Sequence, residues 1–177
     1  PDPEITQKVI YRNLVEILHD RNLLHKERAP ILMLVKYLSA DNLSSFYTTG
    51  DCYVSPHYGE GFALTIAEAM ACEVPVLATK ATGPMDYLTR KTADFISLDT
   101  KLPTVPIRDP WQLKIDPRYQ GQEFYNPSYD SIKEKLKSIY DKRDTFKKER
   151  GTIAREQILN YMNLETLAKK FNSYLGE

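Results

Sequence analysis

Glu60 and Glu68 stand eight residues apart in SPHYGEGFALTIAEAMACEVPVLAT, with Gly61-Phe62-Ala63-Leu64 following the first acid. A carboxylate accepts hydrogen bonds from hydroxyl groups, and a glycine-containing run that opens a helix offers backbone N–H groups to an anion. At about 1.5 Å per residue the two acids are roughly 10 to 12 Å apart. That gap suits a sugar nucleotide. One carboxylate would take sugar hydroxyls and the other ribose hydroxyls, while the diphosphate would lie on the amides of Gly61, Phe62 and Ala63. Spacing alone is weak support, because two glutamates eight apart occur in any helix-rich protein.

The surrounding residues say which elements position these groups. Cys52 to Pro56 is apolar and β-favouring, His57 to Gly61 holds two glycines and no periodicity, and Phe62 to Ala71 is a run of good helix formers. The order is strand, tight loop, helix. In an open parallel sheet, ligands bind outside the carboxyl ends of the strands, where loop amides and a helix N-terminus meet them.

EGFAL followed by AEAMACEVPVLAT resembles the E-x7-E segment of retaining glycosyltransferases with the GT-B fold, of family 4 (group 1) type. Upstream, LSADNLSSFYTTGDCYVSP is similar to that family's short helix, Asp and strand running into the site, and ATGPMDYL downstream to its loop of Gly, two residues and an acid. Leu34 to Leu88 can be laid on the pattern without a gap. The resemblance implies an α/β fold: a Rossmann-like parallel sheet with flanking helices, forming the C-terminal, donor-binding half of a GT-B enzyme. It implies retaining transfer from a nucleoside diphosphate sugar, with no metal or other cofactor. Glu60 would be the catalytic-site carboxylate, meeting donor-sugar hydroxyls as a positioning and electrostatic group. Glu68 would bind the ribose, and the backbone of Gly61, Phe62, Ala63 and Leu64 would meet sugar and phosphates.

Three positions depart from the family pattern. Ala63 replaces a common Gly and so gives up the easy access to positive φ that glycine has. Glu73 takes the place of a Gly in the turn before Val74, so that helix end must close differently or hold a strained residue. Lys36 also replaces a Gly, near where the family places the nucleobase. His57, three residues before Glu60, has two readings: a hydrogen bond to a phosphate or sugar oxygen, or a purely local structural role. Asp86 is expected to cap the helical turn Pro84 to Leu88, with stabilisation of the fold near the donor as the alternative.

Composition excludes several other classes. The chain has 177 residues, 42% of them hydrophobic, and 24 basic residues balance 24 acidic ones. No global field for nucleic acid follows from a net charge of zero. Cys52, Cys72 and the three histidines have no metal-ligand spacing, and the cysteines read as packed thiols. The longest apolar run, Ile31 to Val35, is too short to span a bilayer. A cytoplasmic protein is the expected setting, with peripheral membrane contact as an alternative. The basic stretch Lys133 to Arg155 suits anionic lipid, although a solvated helix face of alternating charge also explains it.

Residues 1–100 read as the α/β core carrying the donor site, 101–127 as an irregular excursion, and 128–177 as C-terminal helices. Helical spacing is expected over Ile5 to Leu18. Strands are expected over Ile31 to Leu38, Tyr53 to Pro56, Pro75 to Thr79 and Phe95 to Leu98, with a short helix over Asp41 to Thr48. The excursion Asp99 to Pro127 is proline-rich and is expected to be anchored by Trp111, Tyr119, Phe124 and Tyr125. Tyr129 to Tyr140 and Leu164 to Leu175 carry amphipathic helical patterns. The resembled half-domain opens with strands not found before Pro1, so an absent N-terminal acceptor domain and inactivity of the isolated chain are expected. The acceptor, whether glycan, lipid or protein, is not legible. Two alternatives stay open: a non-catalytic relic that binds only nucleotide or protein, and a GT-B epimerase or phosphorylase.

Overall fold

The computed structural model describes residues 36–107 and 120–175, together with Lys8, Tyr11, Arg12, Val15, Glu16, 30–32 and Leu34. The chain divides into two compact units, Pro1–Asn42 and Leu43–Glu177.

In the first unit, Lys8, Tyr11, Arg12, Val15 and Glu16 are helical, and Arg12 Nε lies 3.9 Å from Glu16 Oε1 one turn on. The strand expected over Ile31 to Leu38 is not found among its described residues. Ile31, Leu32, Leu34 and Tyr37 belong to no strand and are exposed. An apolar run supplies the tendency to be buried, but a strand also needs a neighbouring backbone to pair with, and none pairs with these residues. Ser39 accepts from Asn42 N at 3.4 Å at the start of helix α1 (Ala40–Thr48), which begins one residue before the expected Asp41 and ends where expected.

The second unit is built on a parallel sheet of β1 (Tyr53–Ser55), β2 (Val76–Thr79) and β3 (Ala93–Ile96), in that order. All four residues of β2 are buried, as a central parallel strand covered on both faces must be. Alternation along β2 divides the core. Val76 and Ala78 pack with Ile66, Ala69 and Met70 of helix α2 (Leu64–Ala71), whereas Leu77 packs with Ile96, Ile139 and Phe146. Expected β3 lies two residues later than observed; Leu98 instead forms an isolated antiparallel bridge with Pro127.

The excursion is more regular than its composition suggests. Strands β4 (Thr104–Pro106) and β5 (Glu123–Tyr125) pair antiparallel. Trp111 and Tyr119, expected as anchors, lie outside the described residues. The C-terminal part comprises α3 (Tyr129–Asp141), α4 (Arg143–Tyr161) and α5 (Leu164–Leu175). Ser128 caps α3 by accepting from Ser131 N at 3.2 Å.

Helix α4 ties the unit together. Lys147 Nζ donates to the carbonyls of Thr48 and Gly50, both at 2.9 Å, closing the C-terminal end of α1. Arg155 donates to the Ala71 carbonyl at the end of α2, and Gln157 to the Tyr87 carbonyl. Gly151 is what lets the helix come so close, since a Cβ there would stand 2.4 Å from the Glu73 carbonyl oxygen. Glu73 itself has φ 60, so the helix end does hold a strained residue where glycine is easier. Among the described residues, no helix is long and apolar enough to cross a membrane.

Candidate functional site

Two loops leave the carboxyl end of the sheet and lock onto each other. Residues 56–63 follow β1, and residues 80–83 follow β2. Glu60 N donates to Thr82 Oγ1 at 3.1 Å, and Gly83 N donates to the Glu60 carbonyl at 3.1 Å. The contact is so close that a Cβ on Gly83 would lie 1.4 Å from Gly61 O. Thr82 has φ 61 and ψ −163, a costly backbone for a β-branched residue, and its neighbour Gly83 opens the short 3-10 helix Gly83–Asp86 with Pro84 in its first turn. Asp86 closes that turn and makes no capping hydrogen bond among the described residues, so the expected cap is not formed.

His57 adds a third tie. Its ring is buried, with Nε2 3.2 Å from the Ala81 carbonyl and Nδ1 3.2 Å from both the hydroxyl and the carbonyl oxygen of Ser55. Both ring nitrogens thus have protein partners within hydrogen-bond distance. The geometry therefore supports the structural reading of His57 over contact with a ligand.

The turn into α2 is built on strain. Ala63 sits at φ 60, ψ 70, although an Ala in place of Gly was expected to forgo positive φ. Tyr87 compensates. Its hydroxyl donates to the Phe62 carbonyl at 2.6 Å and lies 3.2 Å from the Ala63 carbonyl, and its ring packs 5.1 Å from Phe62 and 5.6 Å from Tyr161. Burial first, then the nearby Glu60 carboxylate, pushes the Tyr87 phenol well above its ordinary value, so it remains a donor. Among the described residues, the amides of Gly61, Phe62, Ala63 and Leu64 donate to no protein acceptor. They lie beside the positive end of the α2 dipole, and an anion can use both.

Helix α2 begins at Leu64, two residues later than expected, so Glu68 lies about one turn into it instead of two. Glu68 is half-buried, and its Oε2 accepts from the Tyr47 hydroxyl at 2.9 Å. Glu60 is exposed. Neither acid is sealed in the core. The β4–β5 hairpin reaches the same loop: Tyr125 N donates to the Tyr58 carbonyl at 3.0 Å, and the Tyr58 and Phe124 rings are 6.2 Å apart.

Thr82, Tyr87 and Tyr47 all support the two glutamates, and the spacing of charged residues signalled none of them. Two hollows among the described residues lie elsewhere. One of about 480 Å³ is lined by Asp51, Glu73, Arg143, Asp144, Lys147, Lys148 and Thr152, and one of about 80 Å³ by residues including Asp94, Lys142 and Arg150. Asp51 and Glu73 precede β1 and β2, so the larger hollow is at the amino edge of the sheet, opposite the glutamate loop. Among the described residues, no cluster of His, Cys, Asp or Glu could hold a metal ion.

Residues 22–97, which contain both glutamates and both locked loops, match the family model "Glycosyl transferases group 1". Over this stretch the chain is similar to the group 1 glycosyltransferases. The domain is similar to the capsular polysaccharide biosynthesis glycosyltransferase CapM of Staphylococcus aureus, with 37% identity over 67 residues, 38% of this chain and 17% of that protein. In fold it is similar to sucrose-phosphate synthase from Thermosynechococcus elongatus, with a TM-score of 0.59 and 18% identity over 93% of this chain and 33% of that one. The parallel sheet with flanking helices is thus the GT-B type of α/β domain. The domain spans about a third or less of the length of these two proteins.

Proposed function

We propose that this domain binds the donor of a retaining glycosyltransferase, holding a nucleoside diphosphate sugar whose sugar passes to an acceptor carried on a further domain. One observation carries the reading. The loop bearing Glu60 is fixed by Thr82, Gly83 and Tyr87 in a shape that leaves four successive amides, Gly61 to Leu64, without protein acceptors at the start of α2. A diphosphate is the ligand that uses such a row, and Glu60 and Glu68 flank it in sequence.

The chemistry follows from charge. When the glycosidic bond to the donor breaks, negative charge grows on the departing diphosphate, and preorganised N–H donors lower the barrier most where charge develops. The amides of residues 61–64 and the α2 dipole fill that role without requiring a metal ion. Glu60 receives donor-sugar hydroxyls and Glu68 the ribose. The partial coverage of the similar proteins supports a need for a second domain in turnover.

Calorimetry with UDP, GDP and their sugars tests this. Glu68→Ala is expected to weaken nucleotide binding by roughly ten-fold or more, the size of one lost charge-assisted hydrogen bond. Glu60→Ala is expected to leave the nucleotide affinity in place and erase the added affinity of the attached sugar. Equal affinities for wild type and both variants would contradict the assignment.

A further inference from the structure

We propose that Tyr47 is a positioning residue that fixes the Glu68 carboxylate for the vicinal diol of the nucleotide ribose, a role that rests on the donor-binding reading above.

The Tyr47 hydroxyl meets Glu68 Oε2 at 2.9 Å. Tyr47 is only 9% exposed, and its ring is held edge-on to Tyr53 of β1, with centroids 5.8 Å apart and planes at 62°. Its helix is fastened in turn by Lys147 on the carbonyls of Thr48 and Gly50. The phenol is therefore a fixed donor. Glu68 belongs to α2 and lies between buried Ala67 and Ala69, so its backbone is equally fixed while its side chain would otherwise rotate.

A free glutamate side chain loses appreciable rotamer entropy when a ligand orders it. A bond from Tyr47 to Oε2 orders it beforehand and sets the plane of the carboxylate. Among the described residues, Oε1 has no hydrogen-bond partner. A carboxylate offers about four lone-pair sites. One satisfies Tyr47, and those remaining can accept two adjacent hydroxyls. Burial, followed by Glu68 itself, holds the Tyr47 phenol far above its ordinary value, so it donates throughout the neutral range. A bond that only stapled α1 to α2 would affect stability and not discriminate between ligands.

That difference gives the test. In the full-length protein, binding of UDP and GDP is compared with binding of their 2′,3′-dideoxy counterparts, for wild type, Tyr47→Phe and Glu68→Ala. The expected result is that wild type prefers the ribonucleotide and that Tyr47→Phe loses about five- to ten-fold in ribonucleotide affinity, within the rotamer entropy of one glutamate side chain. Dideoxynucleotide affinity should stay within about two-fold of wild type, as expected when no bond to the diol is at stake. A Tyr47→Phe protein that retains the full preference, while Glu68→Ala loses it, overturns the role of Tyr47 and leaves the ribose role of Glu68 intact. A wild type without preference removes the ribose reading and this proposal with it. A measurement that needs no variant uses tyrosine labelled with 13C at Cζ. The Tyr47 resonance should shift with UDP and not with dideoxy-UDP, and an unmoved resonance also overturns the proposal.

Discussion

The main-chain N–H of Glu60 donates to the hydroxyl of Thr82, 22 residues away, at 3.1 Å. Because the carbonyl of the same glutamate accepts from Gly83, both backbone groups of Glu60 are committed to one short stretch after β2. The start of the side chain is then placed by backbone geometry, and the residue stays exposed.

Thr82→Ala should therefore loosen the Glu60 loop without unfolding the domain. Loss of one hydrogen bond is worth about 1 kcal/mol, so exchange of the Glu60 amide should rise roughly five-fold. Thr82→Ser keeps the acceptor and should exchange like wild type. Thr82→Gly separates the two roles of the residue: it relieves the positive-φ backbone yet still loosens the loop, so thermal stability and exchange of the Glu60 amide should rise together.

Glycine substitutions should sort by what the new Cβ meets. At Gly83 it would meet Gly61 O at 1.4 Å and at Gly151 Glu73 O at 2.4 Å, whereas at Gly61 nothing lies within 4 Å. Overpacking against backbone costs about 1 to 3 kcal/mol or more, which for Gly151→Ala outweighs the helix-propensity gain of about 1 kcal/mol. Urea denaturation should show Gly83→Ala and Gly151→Ala destabilised and Gly61→Ala unchanged. A stabilised Gly151→Ala would mean α4 does not press on that turn.

Stability should fall on the alkaline side. Burial pushes the Cys52 thiol from its ordinary 9.0 up to about 12, and the Tyr47 and Tyr87 phenols also move upward, mainly by burial. Folding here favours the protonated forms, so their contribution is complete below the unfolded values near 9.0 and 10.0 and is lost as pH rises through the folded ones. The unfolding midpoint should decline from about pH 9 upward. Cys52 should also resist alkylation at pH 8 in the folded chain and react after denaturation.

Lys147→Ala and Arg155→Ala each remove donors from a helix C-terminus and should each cost about 1 kcal/mol. They close different helices and share no acceptor, so the double variant should cost the sum. A clear excess over the sum would show that α1 and α2 are coupled through α4.

Much of this domain could be read before the coordinates. The segment from Cys52 to Thr79 shows strand, loop, helix and strand because each element has its own local signal: β-favouring residues, paired glycines, then Ala and Glu at helical spacing. What was not legible depended on contacts between distant residues. Ala63 takes a left-handed backbone because Tyr87, far along the chain, holds the carbonyls on either side of the turn. The β4–β5 hairpin is hidden by its prolines, since its pairing joins residues nearly twenty apart. Conversely, Ile31 to Val35 has a strong apolar signal, and its described residues remain unpaired and exposed. Of the proposed site, the glutamates and the glycine loop were visible as types and spacing. His57 was visible as well, but its role is decided by the Ala81 carbonyl, which no local pattern announces.

Helix α4 has a practical consequence for anyone dividing the protein. The family match ends at residue 97, yet Gln157 bonds the backbone of Tyr87, and Tyr161 packs against Phe62 and Tyr87 at the glutamate loop. An expression boundary drawn at the end of the match would keep Glu60, Glu68 and the loop between them and discard the brace that packs against that loop. A piece that retains these contacts must extend at least through Tyr161.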